Sequence, residues 1–389
     1  MSKNVMKILY LMEYPIDLPG GAQESTGTLC EGLVAGGEFE PVVACPELLS
    51  KTPKDYAFTV VTYPSDENRE QSKFLRISNF LARIGHFRRI IKEVDPDLIH
   101  VSMSESLITF GALRVTGSFR KIPFVYTDRG LCFGYRKHSK ACIKMTMKYA
   151  ARMLTTTQYN ADLWKKEIST PVTVIPNTVS SAFEDFDPLK RQKARDEYGI
   201  EQGMPVIGFA GRISEEKDWG RVPVITKALA DSGLRFKVAL VMAVYEKGDE
   251  DIAKSVRDGI TSAIGEDNLI YMQDLSQKEI SDYYYLVDFF VMTSSFESFG
   301  KAAVEAMSRK CIVLSTPVGG LAEVIGNKED LYDSSKPETL AERIKYLWAR
   351  PGEIENKRES SYRRYRDLYT ADKNIAGHIK VYKEILNGK

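Results

Sequence analysis

The sequence is poor in cysteine, lacks long apolar runs and lacks the glycine motif of dinucleotide-binding folds. Its five cysteines are odd in number and form no close pairs, which argues against a disulfide scaffold or a zinc site and favours reduced thiols: Cys30, Cys45, Cys132, Cys142 and Cys311. No apolar stretch approaches the roughly 18 residues that a membrane-spanning helix needs. No G-x-G-x-x-G follows an opening strand in either half, which argues against a dehydrogenase with a Rossmann fold.

The composition is that of a soluble globular protein with more than one domain. Hydrophobic residues make up 43% and charged residues 28% of the 389 residues, which is enough core and surface for two domains of ordinary size. The opening segment MSKNVMKILYLM is interrupted by Lys7 and is followed by no small-residue cleavage site, so it predicts a buried first strand and no signal peptide. We therefore expect a cytoplasmic protein.

Positive charge is concentrated in one half of the molecule. Residues 70–152 hold sixteen Lys and Arg against six Asp and Glu, a net charge of +10, whereas the whole chain carries +1 and the remainder therefore carries about −9. Within this region SKFLRISNFLARIGHFRRIIKEV has helical spacing, with apolar residues near one side (Phe74, Ile77, Leu81, Ile84 and Ile91) and arginines largely elsewhere (Arg76, Arg83, Arg88 and Arg89).

This basic region has two open interpretations. Together with YRKHSKACIKMTMKYAAR, the basic helix either binds anionic lipid head groups at the inner face of a membrane or is an ordinary core helix with a solvated basic side. Nucleic acid is disfavoured as a partner, because no recognition motif accompanies the charge.

The chain alternates short apolar runs with helical patterns, which predicts parallel sheets covered by helices on both faces. The first half contains the predicted strands KILYL, EPVVA, FTVVTY, DLIHV, PFVYT, RMLTTT and PVTVIP, and the second half contains PVIGFAG, FKVALVM, NLIYM, DFFVMT and CIVLST. The segment between the halves, PNTVSSAFEDFDPLKRQ, has prolines, serines and charges without apolar periodicity. We therefore expect two doubly wound α/β domains, over residues 1–183 and 184–370.

The C-terminal segment DKNIAGHIKVYKEIL predicts one more helix, over about residues 371–389. Its apolar residues recur at the spacing of one helix face: Ile375, Ile379, Tyr382 and Ile385 or Leu386. Because that face must be buried, the helix either caps the second domain or crosses back to the first.

Two glutamates in SSFESFGKAAVEAM, Glu297 and Glu305, flank the predicted start of a helix. If both were helical they would lie about 80° apart around the axis and about 12 Å apart along it, so they are not an adjacent acid pair. The strand DFFVMT ends near Thr293, which places Glu297 on a loop and Glu305 one turn inside a helix that begins about Lys301. Backbone N–H groups at that helix N-terminus favour an anion, and Gly300 allows its close approach. The pattern predicts a ligand with hydroxyls at both ends and phosphate in the middle, such as a sugar nucleotide; a helix cap beside a solvated glutamate has the same signature.

A second segment, FAGRISEEK, supplies cations at the end of the first strand of the second domain. Arg212 and Lys217 follow this strand, and ligands of doubly wound sheets bind at the carboxyl ends of the strands. A hydrogen bond to a charged group contributes roughly 1.5–3 kcal/mol, whereas a helix N-terminus contributes about 0.3–1 kcal/mol. The two cations are therefore expected to carry most of a diphosphate's charge, unless they belong to a surface loop paired with Glu215 and Glu216.

Three stretches of the second domain resemble retaining glycosyltransferases of family four, which have the GT-B fold: GRISEEK, NLIYMQDLSQKEISDYYYLVDFFVMTSSFESFGKAAVEAM and STPVGGLAEVI. The first domain is similar more loosely, through LPGGAQ, DPDLIHV and VIPNTV. The resemblance implies two Rossmann-like domains facing a central cleft. It also implies a nucleotide sugar bound mostly to the second domain, an acceptor bound to the first, and no metal ion or other cofactor.

The resemblance further implies roles for individual residues. Arg212 and Lys217 would hold the diphosphate, and Glu305 would hold the ribose hydroxyls. The hydroxyls of the donor sugar would be held by one loop, through a side chain and backbone groups: Glu297, Ser298, Phe299 and Gly300. The base would lie against another loop: Gln273, Asp274 and Leu275. Phosphates and acceptor would be covered by a flexible glycine loop of the first domain: Gly20 and Gly21.

The chain departs from this family in the segment PFVYTDRGL. Many relatives have a histidine before the glycine, where this sequence has Asp128 and Arg129 before Gly130. Asp128 would accept a hydrogen bond from a donor-sugar hydroxyl and Arg129 would bind phosphate or an acidic acceptor, or the two form a loop ion pair. None of the four histidines offers a replacement. His100 lies in a predicted strand, where it is a structural residue, and the others lie in helical or basic stretches: His86, His138 and His378.

The function implied by the resemblance is that of a retaining hexosyltransferase. It would move a sugar from a UDP-sugar, or otherwise a GDP-sugar, to a saccharide or lipid-linked saccharide in polysaccharide or glycoconjugate synthesis. The implied mechanism is front-face displacement, in which the leaving diphosphate helps to deprotonate the acceptor and cations stabilise the departing charge. EDFD (residues 184–187) is then a solvated linker and not the metal-binding pair of the other glycosyltransferase architecture. The missing histidine leaves a second function open, a catalytically weak subunit that binds acceptor or partner and supports another transferase.

Overall fold

The computed structural model describes residues 5–18, 20–50, 55–64, 73–183 and 185–388, without the side chains of residues 73–76. It divides into two compact units, one formed by Met1–Asn177 with Ala371–Lys389 and the other by Thr178–Thr370. This division comes slightly before the boundary expected after residue 183. The reason is local, because the Thr178 hydroxyl donates a hydrogen bond of 2.8 Å to the carbonyl oxygen of Tyr369 and so ties the chain to the second unit.

The described residues form twelve strands, and each coincides with a strand predicted from the sequence. In chain order they are β1 (Met6–Leu11), β2 (Phe39–Pro46), β3 (Thr59–Tyr63), β4 (Leu98–Ser102), β5 (Phe124–Asp128), β6 (Arg152–Thr155), β7 (Val172–Val174), β8 (Val206–Arg212), β9 (Lys237–Ala243), β10 (Leu269–Gln273), β11 (Phe289–Met292) and β12 (Ile312–Ser315). All the strand pairs are parallel.

Helices connect these strands, as expected for β-α-β units. The α-helices of the described residues are α1 (Gly21–Gly36), α2 (Lys73–Val94), α3 (Ser104–Val115), α4 (Lys137–Met147), α5 (Gln158–Lys165), α6 (Pro188–Glu197), α7 (Arg221–Asp231), α8 (Asp249–Ile264), α9 (Gln277–Tyr283), α10 (Lys301–Ser308), α11 (Leu321–Ile325), α12 (Pro337–Trp348), α13 (Pro351–Leu368) and α14 (Ala371–Asn387). Short 3-10 helices occupy Glu215–Lys217, Glu266–Asn268 and Lys328–Asp330.

The first unit is a doubly wound sheet with strand order β3-β2-β1-β4-β5-β6-β7. Its inner strands β1, β2, β4, β5 and β6 are mostly buried, as parallel strands covered on both faces must be, whereas the edge strands β3 and β7 are largely half-buried or exposed. One face packs against a core cluster that includes residues of α2, α3, α4 and α5, and the other face packs against α1 and α14. The strand order reverses between β1 and β4, which is where a ligand site is expected in such a sheet.

The C-terminal helix α14 belongs to the first unit, which settles the alternatives that its sequence left open. Its buried residue Tyr382 lies with its hydroxyl 2.8 Å from that of Tyr10 and 2.5 Å from Nδ1 of His100, whose Nε2 is 2.7 Å from the Thr127 hydroxyl. Burial lowers the pKa of His378 to about 4 and the pKa of His100 well below its usual range. Both imidazoles are therefore neutral near pH 7, and the structural role predicted for His100 is confirmed.

The apolar side predicted for α2 is confirmed only near its C-terminal end, where Ile91 is buried and Ile84 is half-buried, whereas Ile77 and Leu81 are each 60% exposed. The buried face of the helix also includes Phe87 and Ile90, which the prediction left out. Phe74 and Arg76 lie outside the described side chains. Among the described residues, no helix combines the length and apolarity that crossing a bilayer requires.

The second unit has strand order β10-β9-β8-β11-β12, so its order reverses between β8 and β11. At the amino end of β11, the buried Asp288 accepts hydrogen bonds from Arg191 at 2.6 Å and Arg195 at 3.0 Å, and also pairs with Arg358. Three guanidinium groups thus hold α6 and α13 against the sheet.

Two aspartates of the linker segment EDFD form contacts within the second unit. Asp187 caps α6 by accepting the Leu189 N–H at 2.8 Å, and Asp185 forms an ion pair with Arg366. Glu184 lies outside the described residues. The two aspartates are therefore engaged in capping and surface pairing.

Candidate functional site

The loops that follow β8 and β11 leave the second sheet side by side, at the point where its strand order reverses. β8 ends at Arg212 and is followed by the turn Glu215–Lys217, while β11 ends at Met292 and is followed by residues 293–300. Ligands of doubly wound sheets bind in the crevice outside such a point. Both segments that the sequence singles out are therefore at the ligand-binding position of this sheet.

Lys217 and Glu297 form an ion pair across these two loops. The Nζ atom of Lys217 lies 2.6 Å from Oε2 of Glu297, and the two side chains are 21% and 15% exposed. The sequence assigns these residues to separate parts of a ligand and does not predict the pair. Partial burial makes such a charge-assisted hydrogen bond stronger than an exposed one and fixes both groups at one place.

Hydrogen bonds to backbone carbonyl oxygens also hold these two loops in place. The Thr293 hydroxyl donates to the carbonyl oxygen of Lys217 at 2.6 Å, and the N–H of Ser295 donates to the carbonyl oxygen of Glu216 at 2.9 Å. The N–H of Gly320 donates to the carbonyl oxygen of Glu297 at 3.1 Å. Sequence reasoning did not predict the contacts of Thr293 and Ser295. The run of hydroxyl side chains at the end of DFFVMT and directly after it is the sequence signal for them.

Gly300 sits at the N-cap of α10 in the left-handed region, with φ 88° and ψ 61°. A Cβ atom there would lie 2.5 Å from Cδ1 of Leu321, so glycine is required by both conformation and space. Phe299 is buried and packs edge-on against Tyr369, with ring centroids 5.7 Å apart. The backbone of this turn is therefore anchored from the core side.

Glu305 lies one turn inside α10 and is 8% exposed. Its Oε2 accepts the Tyr284 hydroxyl at 3.3 Å, and its Oε1 lies 3.7 Å from Nζ of Lys301. Burial, followed by the nearby Glu305 carboxylate, raises the pKa of Tyr284 well above its usual range, so the hydroxyl remains a donor. The position of Lys301 four residues before Glu305 is a sequence signal for this pairing.

Arg212 is the more accessible of the two predicted cations. Its side chain is 62% exposed, and its Nη2 lies 3.6 Å from Oε1 of Glu216, which is a loose pair. The indole N–H of Trp219 donates to the Arg212 carbonyl oxygen at 2.9 Å and fixes the backbone. The pairing with neighbouring glutamates that the sequence left open is therefore present for Arg212, whereas Lys217 pairs with Glu297.

Gln273 is the last residue of β10, Asp274 and Leu275 follow it, and hydrogen bonds tie this segment to the end of β9 and to α8. Asp274 has a positive φ of 53°, and its Oδ1 accepts the N–H of Val244 at 2.7 Å. The Gln273 amide donates to Glu250 at 3.1 Å, while Leu275 packs against the core. This loop lies at the carboxyl edge of the sheet, and two strands, β9 and β8, separate β10 from β11.

In the first unit, Gly20 and Gly21 lie at the start of α1, directly after the loop that follows β1. Gly20 is the N-cap residue, in an extended conformation, and no described side chain caps the helix. The Ser25 hydroxyl lies 2.6 Å from the Gly21 carbonyl oxygen and 2.6 Å from Oδ1 of Asn177. The first turn of α1 is thereby fixed to the end of this unit.

Asp128 is fully buried, and its two carboxylate oxygens accept hydrogen bonds from five donors. The donors to Oδ1 are the Tyr126 and Tyr135 hydroxyls and the Gly130 N–H, and the donors to Oδ2 are the Asn160 amide and the Trp164 indole. This geometry does not support the expected bond from Asp128 to a donor-sugar hydroxyl. A carboxylate whose oxygens are already engaged inside the protein positions its neighbours instead.

Among the described residues, Arg129 does not form the ion pair with Asp128 that the sequence left open. Its Nη1 lies 3.5 Å from Oδ1 of Asn177. Burial lowers the pKa of Arg129 to about 10. The residue remains a cation near pH 7.

Two family models match the chain and together account for most of both units. The model described as Glycosyl transferases group 1 matches residues 190–365, and the model described as Glycosyltransferase Family 4 matches residues 19–183. The chain is a member of glycosyltransferase family 4. Its two parallel-sheet units are those of the GT-B fold, as the resemblance implied.

Individual family members are distant from this chain. The 2-deoxystreptamine glucosyltransferase of Streptomyces kanamyceticus is 29% identical over 47% of this chain and 47% of its own length, so the match spans about half of that relative. An uncharacterized glycosyltransferase of Methanocaldococcus jannaschii is 24% identical over 87% of this chain and 93% of its own length. The crystal structure of Anabaena HepE in complex with UDP-glucose shares the fold with a TM-score of 0.75, at 17% identity, over 97% of this chain and all of that one.

Proposed function

We propose that the protein is a retaining glycosyltransferase that moves a sugar from a nucleotide sugar to a hydroxyl of a saccharide or lipid-linked saccharide. The observation that carries this proposal is the Lys217–Glu297 pair, held at 2.6 Å where the strand order of the second sheet reverses. Lys217 supplies a positioned cation for a diphosphate, and Glu297 supplies an acceptor for sugar hydroxyls.

A UDP-sugar is the proposed donor, with a GDP-sugar as the second choice. The support comes from similar proteins, since one structural neighbour is a complex with UDP-glucose and one relative is a glucosyltransferase. Arg212 and Lys217 hold the diphosphate, and Glu305 binds the ribose. The base lies against residues 273–275.

The proposed reaction proceeds at the donor's anomeric carbon with retention and without a metal ion. As the bond to the diphosphate breaks, negative charge develops on the leaving oxygen. Arg212, Lys217 and the N–H groups at the start of α10 are preorganised donors for that charge, which is the role that a divalent cation plays in other transferases. Glu297 orients the sugar, and the departing phosphate accepts the proton of the attacking hydroxyl.

An anionic membrane surface is the proposed location of the acceptor, reached through α2 of the first unit. Ile77, Leu81, Arg88 and Lys92 are exposed and fall within about 60° of one another around the helix. Exposed apolar residues beside cations are typical of helices that lie on anionic lipid. Part of the basic surface of α4 is already neutralised, because Lys140 and Lys144 both pair with Glu167.

Two assays test the donor proposal. UDP-, GDP- and ADP-glucose are compared for their effect on the thermal unfolding of the whole chain, because a ligand that binds only the native state stabilises it. Release of nucleoside diphosphate from each donor is then measured with and without membrane extract as a source of acceptor. We expect the largest stabilisation and turnover with a UDP-sugar. Binding without turnover under every condition would instead favour the catalytically weak supporting subunit.

A further inference from the structure

A groove of about 730 Å³ lies between three helices that pack against one face of the second sheet, α7, α8 and α12. Glycine lets two of these helices approach closely, because a Cβ atom on Gly259 of α8 would lie 2.7 Å from Cβ of Pro223 in α7. We call this surface the acidic groove. It is lined by apolar side chains and by two glutamates of α12: Pro223, Val224, Ala228, Ala263, Glu338 and Glu342.

The two glutamates of the acidic groove have no counter-ion within the part of the chain that the structure describes. Glu338 and Glu342 are exposed, and neither forms an ion pair or a hydrogen bond there. The other two charged residues that line the groove neutralise each other, since Lys227 lies 2.7 Å from Asp231. Lys345, one turn further along α12, donates to a backbone carbonyl oxygen at the end of α7 at 2.6 Å. The groove therefore presents two free negative charges beside apolar surface.

Helix α2 of the first unit carries a complementary surface. Four exposed residues fall within about 60° of one another around this helix, and we call them the basic stripe: Ile77, Leu81, Arg88 and Lys92. Neither cation has a carboxylate partner among the described residues, since Arg88 donates to the Ser118 hydroxyl at 3.1 Å and Lys92 forms no ion pair. The stripe therefore combines exposed apolar side chains with two free positive charges.

The charges have the same spacing on the two surfaces. Arg88 and Lys92 are four residues apart, and so are Glu338 and Glu342, so each pair spans about 6 Å along its helix. A copy of α2 that lies along α12 can therefore form both ion pairs at once. Exposed ion pairs add little affinity, but complementary charges select the partner and its register. Most of the affinity comes from burying the apolar side chains of the stripe and the groove.

Charge also decides which surface covers the acidic groove. Two such grooves repel each other, and an anionic membrane repels each of them. Opposite charge is present elsewhere in the same chain, because residues 70–152, which include α2, carry +10 and the remainder carries about −9. The other basic helix of this region, α4, fits less well, because Lys140 and Lys144 already pair with Glu167.

We propose that the chain self-associates, with the basic stripe of one copy bound in the acidic groove of a second copy. The contact joins two different surfaces and is therefore heterologous. The groove includes no residue that the proposed reaction uses, so this inference does not rest on the proposed function. One stripe cannot bind a groove and a membrane at the same time, so self-association covers the apolar residues of α2 while the chain is in solution.

Sedimentation velocity of the whole chain over a wide range of concentration tests the contact. In low-salt buffer we expect the wild type to exceed the mass of a single chain at high concentration, and both dilution and added salt should reverse this. The groove variant combines Glu338→Lys with Glu342→Lys, and the stripe variant combines Arg88→Glu with Lys92→Glu. Each should associate at least tenfold more weakly than the wild type, because like charges then face each other.

The matched control combines Glu197→Lys with Asp367→Lys, which reverses two exposed carboxylates of the second unit outside the groove. It changes the net charge as much as the groove variant does, and it should associate like the wild type. Leu81→Ser should weaken association without changing any charge. Circular dichroism checks that every variant is folded.

A mixture of the two reversed variants supplies a readout that misfolding would not give. The lysines in the groove of one variant face the glutamates on the stripe of the other. An equimolar mixture should therefore form a complex, although each variant alone remains a single chain at the same total concentration.

The proposal is overturned if the wild type has the mass of a single chain at every concentration. It is also overturned if the groove and stripe variants associate as the wild type does, or if their mixture associates no better than either alone. If the wild type stays a single chain yet binds vesicles of phosphatidylcholine and phosphatidylglycerol through Arg88 and Lys92, the stripe serves lipid alone and the groove contact does not exist.

Discussion

The carboxyl edges of the two sheets hold charged residues in opposite ways. In the second unit, Lys217 and Glu297 face each other across two loops and are partly exposed. In the first unit, Asp128 is buried under five donors, and Arg129 has no carboxylate partner among the described residues. At the edge of the second sheet, the charged side chains pair with each other and remain accessible to a ligand. At the edge of the first sheet, the Asp128 carboxylate is saturated by donors inside the protein, and Arg129 has no counter-ion among the described residues.

This difference shows that a residue's type at a strand end does not define its role. Glu297 and Asp128 are both carboxylates near the carboxyl end of a parallel strand, Asp128 as the last residue of β5 and Glu297 in the loop after β11, and the sequence predicts a sugar contact for both. Their surroundings separate them, because ligand groups can compete with one lysine but not with five buried donors. Four substitutions test the contrast, beginning with the largest expected effect.

Replacing Glu297 should affect chemistry and leave the fold intact. We expect Glu297→Ala to lower sugar transfer by about a hundredfold to a thousandfold, since it removes one preorganised polar contact to the donor. Affinity for free UDP should not fall, because Lys217 loses its competing partner. The measurements are nucleoside diphosphate release and UDP binding, with circular dichroism as the check on folding.

Glu216→Ala is the matched control for this change, because it removes a neighbouring carboxylate that pairs only loosely with Arg212. We expect its transfer rate to stay within a few-fold of the wild type. Near-normal transfer by Glu297→Ala would show that the loop glutamate does not hold the sugar.

Replacing Asp128 should affect stability first. In Asp128→Asn, an amide NH₂ group replaces one carboxylate oxygen. This NH₂ group then faces the three hydrogen-bond donors of Oδ1 or the two donors of Oδ2, and it cannot accept a hydrogen bond from any of them. A buried network broken in this way costs on the order of 3–4 kcal/mol. Hydrogen exchange across residues 124–164 should rise, and the midpoint of thermal unfolding should fall.

Asp162→Asn in α5 is the comparison variant, since Asp162 is exposed and pairs with Lys165 on the surface. It should not change the exchange pattern. A stable Asp128→Asn variant with selectively lost transfer would reverse the interpretation and return Asp128 to the sugar site.

The architecture was predictable from the sequence because its signals are local. The alternation of apolar runs and helical patterns predicts all twelve strands, and the turn at Gly300 follows from one glycine before a helix. The pairing of Lys217 with Glu297 was not predictable, because the two lie 80 residues apart in the chain and meet only through the strand order.

Burial also depends on tertiary structure. No pattern in PFVYTDRGL shows that Asp128 contacts Trp164 while Arg129 contacts Asn177. Likewise, the periodicity of α2 is equally compatible with a buried or an exposed Ile77, and only the packing of neighbouring helices distinguishes them.

The third test concerns Glu13, another carboxylate at the edge of the first sheet. It accepts hydrogen bonds from the backbone N–H groups of Glu105 and Ser106 at the start of α3. Burial, followed by the nearby Glu105 carboxylate, raises the pKa of Glu13 from 4.5 to about 7, while Arg83 opposes this. Between these values the folded state holds more protons than the unfolded state, so stability falls as pH rises from about 4.5 to 7 and then levels off.

Glu13→Gln should remove this part of the pH dependence and be more stable than the wild type at pH 8, by up to about 3 kcal/mol. Thermal unfolding at pH 5, 6, 7 and 8 measures the difference. Glu93→Gln, on the exposed side of α2, is the control and should follow the wild-type curve. If the two curves for Glu13→Gln and the wild type run parallel across this range, burial does not hold Glu13 protonated.

The smallest expected effect is at Arg212, which tests whether an exposed cation contributes to the second edge at all. Arg212→Ala should weaken UDP binding by about tenfold, the lower end for a charged hydrogen bond, because a side chain that is 62% exposed is screened by water and salt. The loss should shrink as ionic strength rises, since screening already removes part of the attraction. Arg235→Ala, which breaks an exposed pair with Glu201 before β9, should leave UDP affinity unchanged. Equal UDP affinity in Arg212→Ala and the wild type at low salt would remove Arg212 from the phosphate site and leave Lys217 as its cation.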